Sequence, residues 1–142
     1  MRPTAALAVL AVLLVLCGDA VAADRSTVIL RPSRYGSALF DGRGFVLYAF
    51  TKDARGKSAC SGACAAAWPP YVVRQRARAG AGVTASLLGR TRRRDGSYQV
   101  TYADRPLYYY IGDRRPGQIL CQNVSEYGGL WLLVRANGRL VR

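Results

Sequence analysis

The stretch LYAFTKD at residues 47–53 returns as LYYYIGD at residues 107–113, and this repetition decides the fold. Four positions recur at one spacing: Leu47, Tyr48, Phe50 and Asp53 match Leu107, Tyr108, Tyr110 and Asp113. The match continues with small slippage, as Gly56, Cys60 and Trp68 align with Gly117, Cys121 and Trp131. An internal duplication predicts two copies of one structural unit that cover each other's apolar faces.

The local patterns between these landmarks predict short strands and frequent turns. Predicted strands cover 27–30, 38–40, 45–50, 71–73, 98–102, 107–111 and 131–135, and the Asn137-Gly138 turn folds 139–141 back as another. Strand 45–50 is apolar on both faces, whereas the alternation in 98–102 predicts a half-exposed strand. The alanine-rich segment 61–68, with Ser61 as its cap and Pro69-Pro70 after it, predicts a short helix.

These patterns give a fold class and a domain plan. The predicted class is all-β or β-rich, with two pseudo-symmetric repeats of short antiparallel strands that share one core and one or two short helices. Residues 23–142 form a single domain, because about 120 residues are too few for two comfortable cores. Its repeats run from about 35 to 73 and from 83 to 135, and a basic Ala/Gly/Arg linker, 74–82, joins them.

The first 22 residues have the pattern of a secretory signal peptide. Arg2, an apolar run from Ala5 and the small residues up to Ala22 predict cleavage near Ala22. A membrane anchor is the rival interpretation, but the run is about 13 residues, whereas roughly 20 are needed to span a bilayer. Lipidation at Cys17 is a further alternative, which Leu16 disfavours because a small residue normally precedes a lipidated cysteine. We therefore expect a periplasmic or secreted protein.

The chain is strongly basic: it has 21 Lys and Arg against 8 Asp and Glu, which gives a formal net charge of +13. Outside the cytoplasm such charge attracts anionic envelope surfaces or polymers, although charge that serves solubility alone is the simpler alternative. The chain has no His, and its one Met is Met1. The composition therefore excludes His-dependent metal sites and Ser-His or Cys-His catalysis.

Cys60, Cys64 and Cys121 leave three alternatives open. Export favours disulfides: on a helix, Cys60 and Cys64 would have Cα atoms roughly 6 Å apart, close enough for a local bridge. A bridge from either to Cys121 would close a longer loop and add roughly 4 kcal/mol, against roughly 2 kcal/mol for the local one. Exchangeable redox thiols and a three-thiolate site for Cu(I) or Zn are the other two. A structural disulfide is preferred, and no resident metal or cofactor is predicted.

The repeated Tyr-x-aromatic-x-x-Asp element is the other candidate site. Asp53 and Asp113 each follow a predicted strand, where a carboxylate can accept backbone N–H bonds and organise a turn. We interpret the motif residues as structural and predict no catalytic residue: Tyr48, Phe50, Asp53, Trp68, Tyr108, Tyr110, Asp113 and Trp131. A hydrolase with Asp53 and Asp113 as paired carboxylates is the rival, and it requires both in one open cleft.

Two arginine clusters, Arg74/Arg76/Arg78 and Arg92/Arg93/Arg94, fall in predicted loops beside Tyr71 and Tyr98. Basic side chains next to aromatic rings can bind single-stranded nucleic acid. An exported protein seldom meets that ligand, so no specific nucleic acid is expected. An anionic envelope surface or simple solvation fits these loops better.

Together these segments resemble the bacterial secreted-repeat family, often described as predicted lipoproteins with a Y-x-[FWY]-x-x-D motif. The resemblance spans about residues 35–134 and rests on LYAFTKD, CSGAC leading to WPP at 68–70, LYYYIGD and the GGLW of 128–131. It implies an exported envelope protein built from two such units, with no established activity. We expect a non-catalytic binding or structural component; the alternative is a thiol redox or soft-metal protein using Cys60, Cys64 and Cys121.

Overall fold

The computed structural model of the chain describes residues 26–142. The predicted signal peptide 1–22, its cleavage near Ala22 and the lipidation alternative at Cys17 lie outside the described residues. The apolar run considered as a rival membrane anchor lies outside them as well. Within residues 26–142, no helix is long and apolar enough to cross a membrane.

Short strands dominate the described part of the chain. They are β1 (Thr27–Arg31), β2 (Ala38–Asp41), β3 (Tyr48–Phe50), β4 (Arg78–Ala79), β5 (Leu88–Arg92), β6 (Tyr98–Tyr102), β7 (Arg105–Tyr108), β8 (Val124–Glu126) and β9 (Gly129–Leu133). One helix, α1 (Ala63–Ala67), and one 3-10 turn, Ala85–Leu87, complete this part of the fold. The β-rich class with short helices is confirmed.

Two sheets organise these strands. The smaller one has the order β2-β1-β4, and the larger one has the order β5-β6-β7-β3-β9-β8. In the larger sheet β3 pairs antiparallel with both β7 and β9. The β3–β7 pair places Tyr48 opposite Tyr108, so the corresponding tyrosines of the two repeats meet in register.

The repeats are related by pseudo-symmetry around this tyrosine pair. On one side of it, the Thr51 N–H donates to the Leu130 carbonyl, and on the other the Ile111 N–H donates to the Ala67 carbonyl. Likewise the Leu39 N–H donates to the Val134 carbonyl, whereas the Val100 N–H donates to the Tyr71 carbonyl. The matched donors lie 60 (51 to 111) and 61 (39 to 100) residues apart and the matched acceptors 63 (67 to 130 and 71 to 134), which is the range of shifts seen in the sequence repeat, so the two-repeat architecture is confirmed.

The core has two layers, one on each face of the central strand. Tyr48 and Phe50 belong to one buried cluster, and Leu47 and Ala49 belong to the other. All four side chains are at most 3% exposed. This agrees with the prediction that the segment is apolar on both faces, since alternate strand residues point to opposite faces of a sheet.

Other local predictions need correction. Strand β6 is not half-exposed: it lies inside the larger sheet, and its residues from Gln99 to Tyr102 are buried. Ser61 does not cap α1, because Gly62 occupies the cap position with a positive φ of 56° and no side chain caps the helix. The predicted linker 74–82 contains β4, which extends the smaller sheet. Strands β5 and β8 lie where the sequence predicted none.

Candidate functional site

The two repeats are tied together by reciprocal tyrosine–aspartate hydrogen bonds. The Tyr48 hydroxyl donates to Oδ2 of Asp113 at 2.7 Å, and the Tyr108 hydroxyl donates to Oδ2 of Asp53, also at 2.7 Å. Each tyrosine thus bonds the aspartate of the other repeat. Because β3 and β7 run antiparallel with the tyrosines in register, each strand directs its hydroxyl toward the turn that follows its partner.

Each aspartate also organises the turn in its own repeat. Oδ1 of Asp53 accepts the Ala59 N–H at 2.7 Å, and Oδ1 of Asp113 accepts the Leu120 N–H at 3.0 Å. The two oxygens of each carboxylate therefore have different tasks, since one holds a turn and the other holds the opposite repeat. This double use of the motif carboxylates is the centre of the candidate site, which we call the tyrosine–aspartate clasp.

Burial governs the electrostatics of the clasp. It raises the pKa of Asp53 to about 6, although the hydrogen bonds from Ala59 and Tyr108 act in the opposite direction. Burial likewise raises the pKa of Asp113 and the pKa values of Tyr48 and Tyr108. The shifted tyrosines keep their protons, so they serve as hydrogen-bond donors at neutral pH.

An aromatic stack lies beside the clasp and follows the same symmetry. Trp68 and Trp131 stack on each other with ring centroids 4.0 Å apart and planes 5° from parallel. Phe50 stacks on the outer face of Trp131 at 4.1 Å, and Tyr110 covers Trp68 at 4.7 Å. Every one of these three contacts joins one repeat to the other.

The clasp tyrosines contact the stack through their ring edges. Tyr48 meets Trp68 at 5.2 Å, and Tyr108 meets Trp131 at 5.1 Å, both in edge-to-face geometry. Such offset arrangements are the favourable ones for aromatic pairs. Tyr48, Tyr108 and both tryptophans have no more than trace exposure, so this surface is closed to ligands.

Arg93 belongs to the polar surroundings of the clasp, which the sequence did not reveal. Its Nη1 donates to Ser58 Oγ and Gln99 Oε1, and its Nη2 donates to the Cys60 carbonyl. The Ser58 hydroxyl in turn lies 2.7 Å from the Tyr108 hydroxyl oxygen and donates to it, since the one proton of Tyr108 goes to Asp53. Arg93 was assigned only to a basic loop. The available signal was Gln99, an amide within strand β6.

An ion pair in the first repeat, between a buried aspartate and a partly exposed arginine, was also missed. Asp41 is fully buried, and its Oδ2 accepts from the Arg43 guanidinium at 2.9 Å and from the Tyr109 hydroxyl at 2.9 Å. Its Oδ1 accepts the N–H groups of Arg43 and Phe45. In the sequence, Asp41 falls between the predicted strands 38–40 and 45–50, where nothing indicates this role. The structure shows that it anchors that turn to Tyr109 of the other repeat.

The two motif carboxylates do not share a cleft. Asp53 lines a surface pocket of about 330 Å³, whereas Asp113 lines a different pocket of about 390 Å³. Each is already bonded to a tyrosine and to a backbone N–H. A paired-carboxylate hydrolase needs both groups on one substrate, so this arrangement does not support that rival.

The cysteines form one local bridge. Cys60 and Cys64 are disulfide-bonded with Cα atoms 5.3 Å apart, so the local alternative is confirmed and the long bridge to Cys121 is wrong. Cys121 is a free, buried thiol, and burial raises its pKa. Within residues 26–142, no group of three or more Cys, Asp and Glu side chains is arranged to hold a metal ion. A buried thiol of raised pKa is poorly suited to exchange, because the thiolate is the reactive form.

Comparison with known proteins gives one match. The model of a family described as a secreted repeat of unknown function matches the chain twice, at residues 32–71 and 89–135. Each matched segment contains one copy of the motif and one tryptophan of the stack. No curated protein and no solved structure matches the chain.

Proposed function

The chain belongs to the secreted repeat family of unknown function, and from this premise we propose that it is an exported, non-catalytic component of the bacterial cell envelope that binds anionic envelope polymers or surfaces. In this proposal the tyrosine–aspartate clasp and the aromatic stack are structural. They hold two repeats as one rigid body, and the basic outer surface makes the contacts.

The excess of unpaired cationic side chains supports this proposal. The chain carries 21 Lys and Arg against 8 Asp and Glu. Within residues 26–142 there are two ion pairs, Arg43 with Asp41 and Arg55 with Asp104. Most arginines therefore project charge into solvent. A surface of one sign attracts polyanions over a distance of about one Debye length, roughly 8–10 Å at physiological ionic strength.

The composition of the site disfavours catalysis. The motif carboxylates are bonded within the protein, and the two tryptophans of the stack are fully buried. The thiol redox alternative would require a reactive thiol, whereas Cys121 is buried and Cys60 and Cys64 are joined. A structural role for the disulfide is the simpler proposal.

Binding to immobilised anionic polymer and to vesicles with and without anionic lipid tests the function. We expect retention on the anionic supports that falls steadily up to about 1 M salt, where the Debye length is about 3 Å. Retention that does not depend on salt, or equal retention on neutral vesicles, would contradict an electrostatic role. Cell fractionation with detection in the extracytoplasmic fraction tests export separately.

A further inference from the structure

The duplication has produced two surface pockets at equivalent places. Each lies where the strand-connecting turn of one repeat meets the motif aspartate of the other. The first pocket is lined by Phe50, Asp53, Ala103, Arg105 and Pro106, and the second at the matching positions by Tyr110, Asp113, Arg43, Phe45 and Val46. These five matches all fall at the offset of 60 that relates the motifs, so the pockets are pseudo-symmetric copies.

The two copies differ in chemistry. The second pocket contains one arginine, Arg43, which is paired with Asp41. The first contains Arg55, Arg105 and Arg139. At the position of Arg105 the second pocket has Phe45, so the fold itself does not require a cation there. Arginine side chains outside the ion pairs of the described residues, Arg105 and Arg139, are therefore particular to the first pocket.

The basic character extends beyond the first pocket. An adjoining pocket of about 330 Å³ is lined by Arg105, Arg139, Leu140 and Arg142. Arg105 and Arg139 line both pockets, so the two form one continuous surface, which we call the arginine groove. The groove thus presents two shared guanidinium groups at its centre, with Arg55 and Arg142 toward its ends.

The acidic residues of the groove are already engaged. Asp104 is paired with Arg55 at 2.6 Å, and Asp53 accepts from Tyr108 and Ala59. Arg105 and Arg139 take part in neither ion pair found within residues 26–142. Arg105 donates through Nε to the Gly138 carbonyl at 3.2 Å. Since no ion pair uses the terminal nitrogens of Arg105, they can bind an added anion.

The groove is held in shape by interlocked turns. The β6–β7 hairpin turns through Ala103 and Asp104, both with positive φ, and a Cβ on Gly138 of the neighbouring turn would collide with Ala103. The Gly56 N–H donates to the Asp104 carbonyl at 2.7 Å, which ties a third turn to the same place. A groove whose walls are fixed before binding loses less entropy when a ligand enters.

We propose that the arginine groove is the principal binding site for anionic groups carried in series on an envelope polymer. The inference rests on the proposed function and gives it a location. Arg105 and Arg139 bind successive phosphate or carboxylate groups of one chain, because a guanidinium offers paired donors that match the oxygens of either group. The second pocket, whose one arginine is paired with Asp41, does not take part.

The test compares two double variants that remove equal charge. Arg105→Gln/Arg139→Gln alters the groove, and Arg74→Gln/Arg76→Gln alters an exposed segment elsewhere. Binding of the full chain to fluorescent polyphosphate and to polyglutamate is measured across a salt series, with inorganic phosphate as the single-group arm. We expect the groove variant to lose about tenfold or more in affinity and the matched variant less than about threefold. The more affected polymer identifies the favoured group.

The outcomes separate the two proposals. Equal losses in the two variants would overturn the groove while leaving polyanion binding by the whole surface intact. No binding of the unaltered chain to either polymer would overturn the proposed function and the groove with it. If the melting temperature of the double variant falls, Arg139→Gln alone replaces it, because Arg105 then keeps its bond to Gly138. An unchanged affinity of that folded variant would also overturn the groove.

Discussion

At the scale of single residues, the clasp uses each motif side chain for contact with the other repeat. The hydroxyls of Tyr48 and Tyr108 are buried donors, and their acceptors are carboxylates that burial would otherwise destabilise. Removing one partner of such a pair leaves an unsatisfied polar group in the core, which is costlier than losing a surface hydrogen bond. The stability of the protein should therefore depend on these hydroxyls.

Tyr48→Phe is expected to lower the free energy of unfolding by about 1–3 kcal/mol, because it deprives the Asp113 carboxylate of a buried donor. Denaturant unfolding measures the change. Tyr98→Phe is the matched control: Tyr98 is partly exposed, its ring packs on Arg90, and we expect a change within about 0.5 kcal/mol. A double-mutant cycle with Asp113→Asn should show coupling, whereas additive effects would contradict a direct bond.

Asp53 should give the stability a pH dependence of unusual sign. Burial raises its pKa to about 6 in the folded protein, above the unfolded value of 3.8. The folded state therefore binds the proton more tightly, so this contribution is fully present below pH about 4 and is lost as the pH rises through about 6. Denaturant unfolding of the unaltered chain and of Asp53→Asn is measured from pH 4 to 7. The difference between their free energies of unfolding at each pH isolates the contribution of Asp53.

Asp95→Asn is the control for that experiment. The Asp95 carboxylate is exposed, and its hydrogen bonds to Ser97 lower its pKa, so it favours the folded state above its unfolded pKa. That contribution is lost only as the pH falls below about 4, so Asp95→Asn should leave the slope between pH 4 and 7 nearly unchanged. If both variants shift the slope alike, the origin is overall charge repulsion and not the buried Asp53 carboxylate.

At the scale of elements, α1 and its disulfide form the least regular part of the first repeat. The helix covers only Ala63–Ala67, starts at a glycine with positive φ and stops at Trp68 before two prolines. A proline disfavours helical geometry in the residue before it. So short a helix is marginal alone, and the Cys60–Cys64 bridge holds it against the core.

Cys60→Ser/Cys64→Ser is expected to lower the free energy of unfolding by roughly 2 kcal/mol. This is the contribution expected from the loop-closure entropy that a bridge over a small loop removes from the unfolded chain. The bridge itself can be read from a tryptic digest, because Ser58–Arg74 contains both cysteines and should gain two hydrogens on reduction. The Cys121 peptide should react with an alkylating agent without reductant once the chain is denatured. An alkylated Cys60 or Cys64 under those conditions would contradict the bridge.

The sequence predicted elements better than it predicted contacts. The repeated motif at 47–53 and 107–113 could be predicted because it depends on the spacing of neighbouring residues, which the structure retains. The Asn137-Gly138 turn likewise depends on neighbouring residues alone. The bonds from Tyr48 to Asp113 and from Tyr108 to Asp53 depend on the register between β3 and β7, which no local pattern records. Likewise β8 was missed, because its pairing with β9 stabilises a polar segment that has little strand character of its own.

At the scale of the whole molecule, neither repeat has a complete core. The clasp and the stack both cross from one repeat to the other, and β3 lies between two strands of the second repeat. A separated repeat would expose an open sheet edge and half of an aromatic stack. Folding of the two halves should therefore be a single cooperative event.

Fragments 26–82 and 83–142 are expected to be unstructured alone and to form the native sheet when mixed. The cut keeps β4 with β1 and divides no strand pair within the smaller sheet. Amide hydrogen exchange measures the result: protection of the β3 and β7 amides should appear only in the mixture. Stable protection in either fragment alone would show that one repeat has a sufficient core.

Trp68→Ala should be among the most destabilising single changes, at about 3–5 kcal/mol, because the ring is fully buried between Trp131 and Tyr110. Thermal and denaturant unfolding measure the loss. Val72→Ala is the control, since Val72 is 36% exposed. Equal destabilisation by both changes would contradict the central position of the stack.

The face-to-face contact of Trp68 and Trp131 also makes the protein its own optical reporter. The chain has two tryptophans, and they are these two. Each indole is stacked 4.0 Å from the other only while the two repeats are in contact, so we expect their circular dichroism to differ from that of separated, solvated rings. That difference exists only while the halves are docked, and it can be followed in real time without any added dye.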